Sequence, residues 1–357
     1  MTGQWETDQF RAQVQQALDD FLDSRQDMLT PLGPDAARLV TQARTTVAGG
    51  KRFRAAFCYW GYRALAPAPD AATEAGLVRA CAALELLHAS ALVHDDYMDA
   101  SDTRRGRPAT HRALAEEHRA QRWRGDAGQY GAAAAILLGD LLLSWADELL
   151  RRCGLPADRV TAALEVFDLC RTEVIAGQFL DVSVQARGHA DVATALTVLR
   201  YKSAKYSIER PLHIGAALAG AGEEQLAALT DVGLPLGEAF QLRDDLLGVF
   251  GDPQETGKPA GDDLVEGKRT VLVALALEGA PPADRELLDS LLGTPGAATE
   301  VDRLRAVITD SGARDRVEAM IAELTGTALA SLPAAAPDTT ARAVLGALAD
   351  AATQRRL

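Results

Sequence analysis

Apolar residues return every three or four positions along this chain and almost never every second one, a pattern that commits it to helices. Leu77, Ala80, Cys81, Leu84, Leu87, Ala91 and Leu92 form the clearest such run. Alanine and leucine abound, β-branched runs are scarce, and no stretch shows sustained strand-like alternation beside a hairpin dipeptide. The expected fold is all-α. An amphipathic helix is predicted over Glu6 to Leu29, and Leu32-Gly33-Pro34 breaks it before the next begins near Asp35. Further breaks are predicted at Ala66 to Asp70, Arg119 to Gly131, Gly154 to Pro156, Gly188 to Asp191, Gly220 to Glu223, Gly251 to Gly261, Gly279 to Pro282 and Pro333 to Asp338. None is long or simple enough to be a linker. Residues 1–357 therefore read as a single domain, one large helical bundle with functional side chains projecting inward. The least regular segment, Arg119 to Gly131, reads as a mobile loop.

Of the 357 residues, 48% are apolar, and 37 Lys and Arg stand against 50 Asp and Glu, a formal net charge of −13. That balance argues against a nucleic-acid or anionic-membrane partner held by bulk charge, because both are themselves negative. No apolar run is read as reaching the ~20 residues needed to span a bilayer. Met1 to Phe10 lacks a basic region followed by an apolar core, so a cytoplasmic protein without stable membrane insertion is expected. Cys58, Cys81, Cys153 and Cys170 lie far apart in apolar stretches without a Cys-x-x-Cys pair, and read as buried thiols.

The sharpest chemical feature is His94-Asp95-Asp96-Tyr97-Met98-Asp99, which ends a long apolar helix and is followed by Asp102, Arg104, Arg105 and Arg107. Asp95 and Asp99 stand four apart and share a helix face, where they repel unless a cation lies between them. Hard oxygen ligands of this kind suit magnesium, which keeps several waters and is usually completed by substrate phosphates. A solvated acidic helix end paired with the nearby arginines is the competing account. Phe240-Gln241-Leu242-Arg243-Asp244-Asp245-Leu246-Leu247-Gly248 repeats the theme, and two such clusters facing a common cavity would share counter-ions. Gly248 occupies the place where a third carboxylate could stand, so the second cluster is poorer in ligands.

Basic groups recur at Gly49-Gly50-Lys51-Arg52-Phe53-Arg54, at Arg104 and Arg105, at Lys202 and Lys205, and at Lys258. Glycine beside lysine lets a phosphate approach the backbone, and arginine can grip phosphate oxygens two at a time. His88 lies seven residues before Asp95, two turns along the same face. No Ser-His-Asp, Cys-His or zinc spacing stands out.

In motif order from Gly49 to about Thr270, the sequence resembles the trans-isoprenyl diphosphate synthases, the polyprenyl synthetase family. Gly49 to Arg54 is similar to its isopentenyl-diphosphate signature, and Leu86-Leu87-His88 through Asp99 with Arg104-Arg105-Gly106 to its first aspartate-rich motif. Gly177-Gln178-Phe179-Leu180-Asp181 matches a Gly-Gln-x-x-Asp element, and Tyr201-Lys202-Ser203 resembles a Lys-Thr element with serine for threonine. Phe240 to Asp245 is similar to the second aspartate-rich motif, trailed by Thr256-Gly257-Lys258, Asp263-Leu264 and Glu266 to Thr270. Gly248 departs from the family, most of whose members carry a third aspartate there.

The resemblance implies an all-helical isoprenoid synthase fold around a deep central cavity, in a homodimer most like a bacterial geranylgeranyl diphosphate synthase. It implies an allylic diphosphate held through about three Mg2+ ions by Asp95, Asp96, Asp99, Asp244 and Asp245. Arg104, Lys202 and Lys258 would neutralise the departing diphosphate, and Gln178 and Gln241 would help hold the allylic substrate. Isopentenyl diphosphate, held by Lys51, Arg54, His88 and Arg105, would attack the allylic cation through its double bond, its proton passing to the released diphosphate. An apolar lining would keep water from quenching the cation. The growing chain would run down the helix below Asp95, past Ala91, Ser90 and Leu87 as successive floors. The two small residues nearest the metals predict geranylgeranyl diphosphate, or a longer product if facing helices do not close the shaft. A class I terpene cyclase and a non-catalytic partner subunit are the rival readings. The cyclase normally carries an Asn/Ser/Glu triad where this chain has Asp244-Asp245.

Overall fold

The helical periodicity is realised along the chain in a computed structural model that describes residues 8–252 and 261–354. Met1–Glu165 with Pro211–Gly222 form one compact unit, and Val166–Arg210 with Glu223–Leu357 form a second.

In the first unit, α1 (Asp8–Leu29), α2 (Pro34–Val47), α3 (Phe53–Leu65), α4 (Ala71–Met98), α5 (Thr110–Ala120) and α6 (Ala127–Arg151) succeed one another. Asp70 caps α4 by accepting from the Thr73 amide at 2.8 Å. Between Gly76 and Val93 almost every α4 side chain is buried, so the helix is a core element and packs along α6. Contrary to the sequence reading, α4 is long and apolar enough to cross a membrane, but 78% of its most apolar window is buried inside the protein. The four cysteines are buried free thiols, as expected.

Two local expectations are corrected. Thr103–Arg104 (β1) and Arg107–Pro108 (β2) pair antiparallel, with Arg104 opposite Arg107. The turn between them puts Arg105 at φ 52 and Gly106 at φ 70, both left-handed, the conformation a two-residue hairpin requires. Arginine rarely adopts it, which hid the turn. The supposed mobile segment is largely ordered packing: α6 already starts at Ala127, and the rings of His118, Trp123 and Tyr130 meet at 5.3 to 5.8 Å. The Arg38 guanidinium lies 4.5 Å over the Trp123 ring.

The helix α7 (Ala157–Arg187) passes from the first unit's residues into the second's, and α9 (Arg210–Ala219) returns to the first. The second unit contains α8 (Val192–Val198), an eleven-residue π-helix (Leu199–Glu209), α10 (Glu223–Phe250), α11 (Asp262–Glu266), α12 (Val271–Gly279), α13 (Pro282–Leu291), α14 (Val301–Asp310), α15 (Ala313–Ala335) and α16 (Thr339–Thr353). Leu242, Leu246 and Val249 of α10 join Leu272, Leu304 and Val317 in its core. α15 runs through Pro333 to Ala335, so its break falls two residues later than Pro333.

The wide helix is pinned by charge. Lys205 reaches Glu173 at 3.2 Å and Glu209 at 3.1 Å, and Arg210 binds Glu173 at 2.7 Å, all in side chains exposed by 13% or less. Wide turns of this kind recur at functional sites, and this one carries Lys202.

Candidate active site

The site residues of the first unit converge on the elbow between α2 and α3. Gly49 (φ 72) and Gly50 (φ 92) turn the chain through left-handed backbone that a Cβ would strain. A Cβ on Gly50 would also lie 3.3 Å from the Arg105 guanidinium, whose Nη1 donates to the Ala48 carbonyl at 3.3 Å. The elbow is anchored by Arg52, which sequence reasoning passed over as part of a basic run. Its buried guanidinium donates to Glu85 of α4 at 2.8 Å, to Gln15 at 2.6 Å and to the Val47 carbonyl at 2.7 Å. Lys51 is exposed on one side of this anchor and Arg54 half-buried on the other. Burial, with Arg54, Arg105 and Arg104 nearby, pushes His88 well below the usual imidazole range. The same arginines give this neighbourhood a positive field, which suits an anionic ligand. Removing one partner of a buried pair leaves the other charge stranded, so Glu85→Ala is expected to cost about 3 to 5 kcal/mol of stability, read from the urea midpoint.

The first acidic cluster divides its work. Asp96 is buried and accepts from Arg104 Nε at 2.8 Å and from its Nη2, whereas the nearest Asp95 oxygen is 3.9 Å from that guanidinium. The structure thus turns Asp96 and Arg104 to each other, and leaves the Asp95 side chain 21% exposed. His94 packs against α6, with Nε2 3.2 Å from the Ile136 carbonyl. Among the expected floor residues, Ser90 is 3% exposed and donates to the Gly139 carbonyl of α6 at 2.7 Å, Leu87 is buried, and Ala91 is half-buried.

In the second unit, the glycine of the Gly-Gln-x-x-Asp element has a plain steric reason. A Cβ on Gly177 would stand 2.3 Å from the Lys202 amide nitrogen, so only glycine lets α7 and the π-helix approach this closely. The contact brings Asp181, the aspartate of that element, to which sequence reasoning gave no role, to Lys202, whose ammonium donates to it at 2.5 Å. On α10, Asp245 is buried and accepts from Gln241 Nε2 at 2.8 Å, and Asp244 is half-buried. Lys258 lies outside the described residues.

Burial, with the carboxylates of Asp263 and Asp244 adding to it, pushes Asp245 up to about 8. The folded protein without metal therefore keeps a proton on Asp245 that the unfolded chain has already released. Stability is expected to fall as pH climbs through this window toward 8, and Asp245→Asn to flatten the slope, measured as urea midpoints in chelator. Carboxylates crowded in this way fit a divalent cation. Among the described residues no three His, Cys, Asp or Glu side chains form a group that could by itself hold a metal ion.

Comparison with known proteins gives a consistent picture. Residues 37–310 match the family model described as Polyprenyl synthetase. A geranylfarnesyl diphosphate synthase from Aeropyrum pernix is 36% identical over 274 residues, covering 76% of this chain and 79% of that protein. A geranylgeranyl diphosphate synthase from Mycobacterium tuberculosis is 35% identical over 294 residues, 79% of this chain and 77% of the relative. The crystal structure of geranylgeranyl pyrophosphate synthase from Corynebacterium glutamicum, complexed with isoprenyl diphosphate and magnesium, superposes with a TM-score of 0.94 at 40% identity, over 98% of this chain and 99% of that one.

Proposed function

The chain belongs to the polyprenyl synthetase family, with the all-α isoprenoid synthase fold and the activity of a magnesium-dependent trans-prenyltransferase, and we propose that its product is geranylgeranyl diphosphate. The observation that carries this product length is Ala91, a small half-buried residue one turn before Asp95. The relatives' names run from farnesyl through geranylgeranyl to geranylfarnesyl diphosphate synthase, with this reading in the middle of that range. A longer product, such as geranylfarnesyl diphosphate, is the second reading, supported by the Aeropyrum relative.

In this reading Asp95, Asp99 and Asp244 hold the allylic diphosphate through magnesium, which when bound neutralises charge on the leaving group. Asp96 orients Arg104, and Asp181 orients Lys202, so both cations stand ready for the departing diphosphate. Lys51, Arg54, Arg105 and neutral His88 hold isopentenyl diphosphate, while the apolar lining excludes water until the new carbon–carbon bond has formed. The matched residues 37–310 include residues from both compact units, which supports one catalytic domain.

We also assign a cytoplasmic homodimer. On α6, Ile136 and Leu137 are 43% and 62% exposed, an apolar face that favours a covering copy. Leu137→Glu is expected to shift the protein from dimer to monomer in light scattering. The function itself is tested by incubating the purified chain with labelled isopentenyl diphosphate, each allylic primer and Mg2+, then sizing the products. Twenty-carbon diphosphate is expected from every primer. Accumulation at fifteen or twenty-five carbons overturns the product assignment.

A further inference from the structure

On α10, Gln241, Asp244 and Asp245 stand three and four apart and share one face, while Arg243 falls roughly on the opposite one. Arg243 is buried, and its guanidinium is taken up by the C-terminal helices. Nη1 and Nη2 donate to the two carboxylate oxygens of Glu318 on α15, at 2.7 and 2.6 Å, and Nε donates to the Thr353 carbonyl at 2.8 Å. Thr353 is the last residue of α16, where the final carbonyls have no donor within their own helix, so Arg243 also caps that helix end. Two further arginines hold the last turn of α10. Arg305 of α14 donates to the Val249 carbonyl at 2.6 Å, and the Arg314 guanidinium of α15 lies 4.8 Å over the Phe250 ring.

A clamp on one face of a helix resists rotation of the whole helix about its axis. Side-chain tips stand about 5 to 6 Å from that axis, so a turn of about 10° carries a carboxylate about 1 Å. A misplacement of that size at a reacting centre costs up to about a hundredfold in rate. We propose that Arg243 is a positioning residue, which locks α10 to α15 and to the end of α16 and so sets the rotation at which Asp244 presents its carboxylate. In the synthase reading, on which this rests, the C-terminal helices thereby act on the allylic diphosphate without touching it. The task calls for arginine, since only its planar fork can grip both Glu318 oxygens and still donate to a carbonyl through Nε.

The test is calorimetric binding of an allylic thiodiphosphate that cannot ionise, over a series of Mg2+ concentrations, with the full chain and with thermal melts in chelator alongside. Arg243→Lys keeps the charge but loses the fork, and is expected to raise the Mg2+ needed for half-maximal binding by about tenfold. Glu318→Gln, at the more exposed partner, should move it in the same direction by a smaller factor, and carries the test if the lysine variant does not fold. The double variant should require little more Mg2+ than Arg243→Lys alone, because both substitutions act through one contact. Binding of isopentenyl diphosphate, assigned to residues of the other compact unit, should stay at the parent's level. A clamp that serves stability alone would lower the melting temperature and leave the Mg2+ dependence of the folded protein as it was. That result, or an equal loss of isopentenyl diphosphate binding, overturns the inference while the synthase reading stands. A parent that binds no thiodiphosphate in the presence of Mg2+ overturns both.

Discussion

Asp95→Asn is expected to lower the condensation rate by about a thousandfold, while the protein melts as the parent does. The asymmetry within the first acidic cluster is the reason. Asp95 is 21% exposed and 3.9 Å from a guanidinium that Asp96 binds more closely, and asparagine keeps its shape at this partly solvated position. In the proposed site it removes a full negative charge from the group assigned to hold a cation against the diphosphate, so the departing group would lose part of its compensation. Asp96→Asn should behave differently. Asp96 is buried with Arg104 donating to it through two nitrogens, so the amide weakens a buried pair and loosens Arg104. Its expected signature is a lowered melting temperature together with a raised KM for the allylic substrate. Steady-state assays with labelled isopentenyl diphosphate, run beside thermal melts, separate the two outcomes.

Ala91→Phe is expected to change what is made more than how fast. Ala91 lies one turn before Asp95 and is half-buried, so a ring there narrows the path of the growing chain and shifts the main product from twenty to fifteen carbons. Ser90→Phe, its neighbour, should not give the same clean shift. Ser90 is sealed against α6, donating to the Gly139 carbonyl at 2.7 Å, and Gly139 has no side chain because His94 fills that space. A phenylalanine at 90 overpacks the α4–α6 contact and is expected to cost about 1 to 3 kcal/mol. Mass spectrometry of the extracted products distinguishes a floor residue from a packing residue, and an unchanged product from Ala91→Phe refutes the floor assignment.

The helical class, most breaks between helices and the gathering of Arg54, His88 and Arg105 were all legible in the sequence, because each depends on spacing within a helix or on a glycine signal. What stayed hidden depended on partners distant in sequence. Arg52 reads as one more cation in a basic run, yet its ion pair with Glu85, 33 residues away, makes it the anchor of the elbow. Asp96 looks equivalent to Asp95 until Arg104 returns on the two-stranded turn and selects it. The two-stranded turn itself was missed because Arg105 takes a left-handed backbone that its residue type disfavours. The apolar reach of α4 was also underread, since Arg79 and Glu85 interrupt a stretch whose mean hydropathy nevertheless stays high.

The central claim is that carboxylates of both acidic motifs serve one diphosphate through shared magnesium. A double-mutant cycle measures this directly, using Mg2+-dependent binding of an allylic thiodiphosphate that cannot ionise. Asp95→Asn and Asp244→Asn should each weaken binding by about 10- to 100-fold, and the double variant by clearly less than the product of the two. Losses that multiply as independent factors, or an Asp244→Asn variant that binds like the parent, would contradict it.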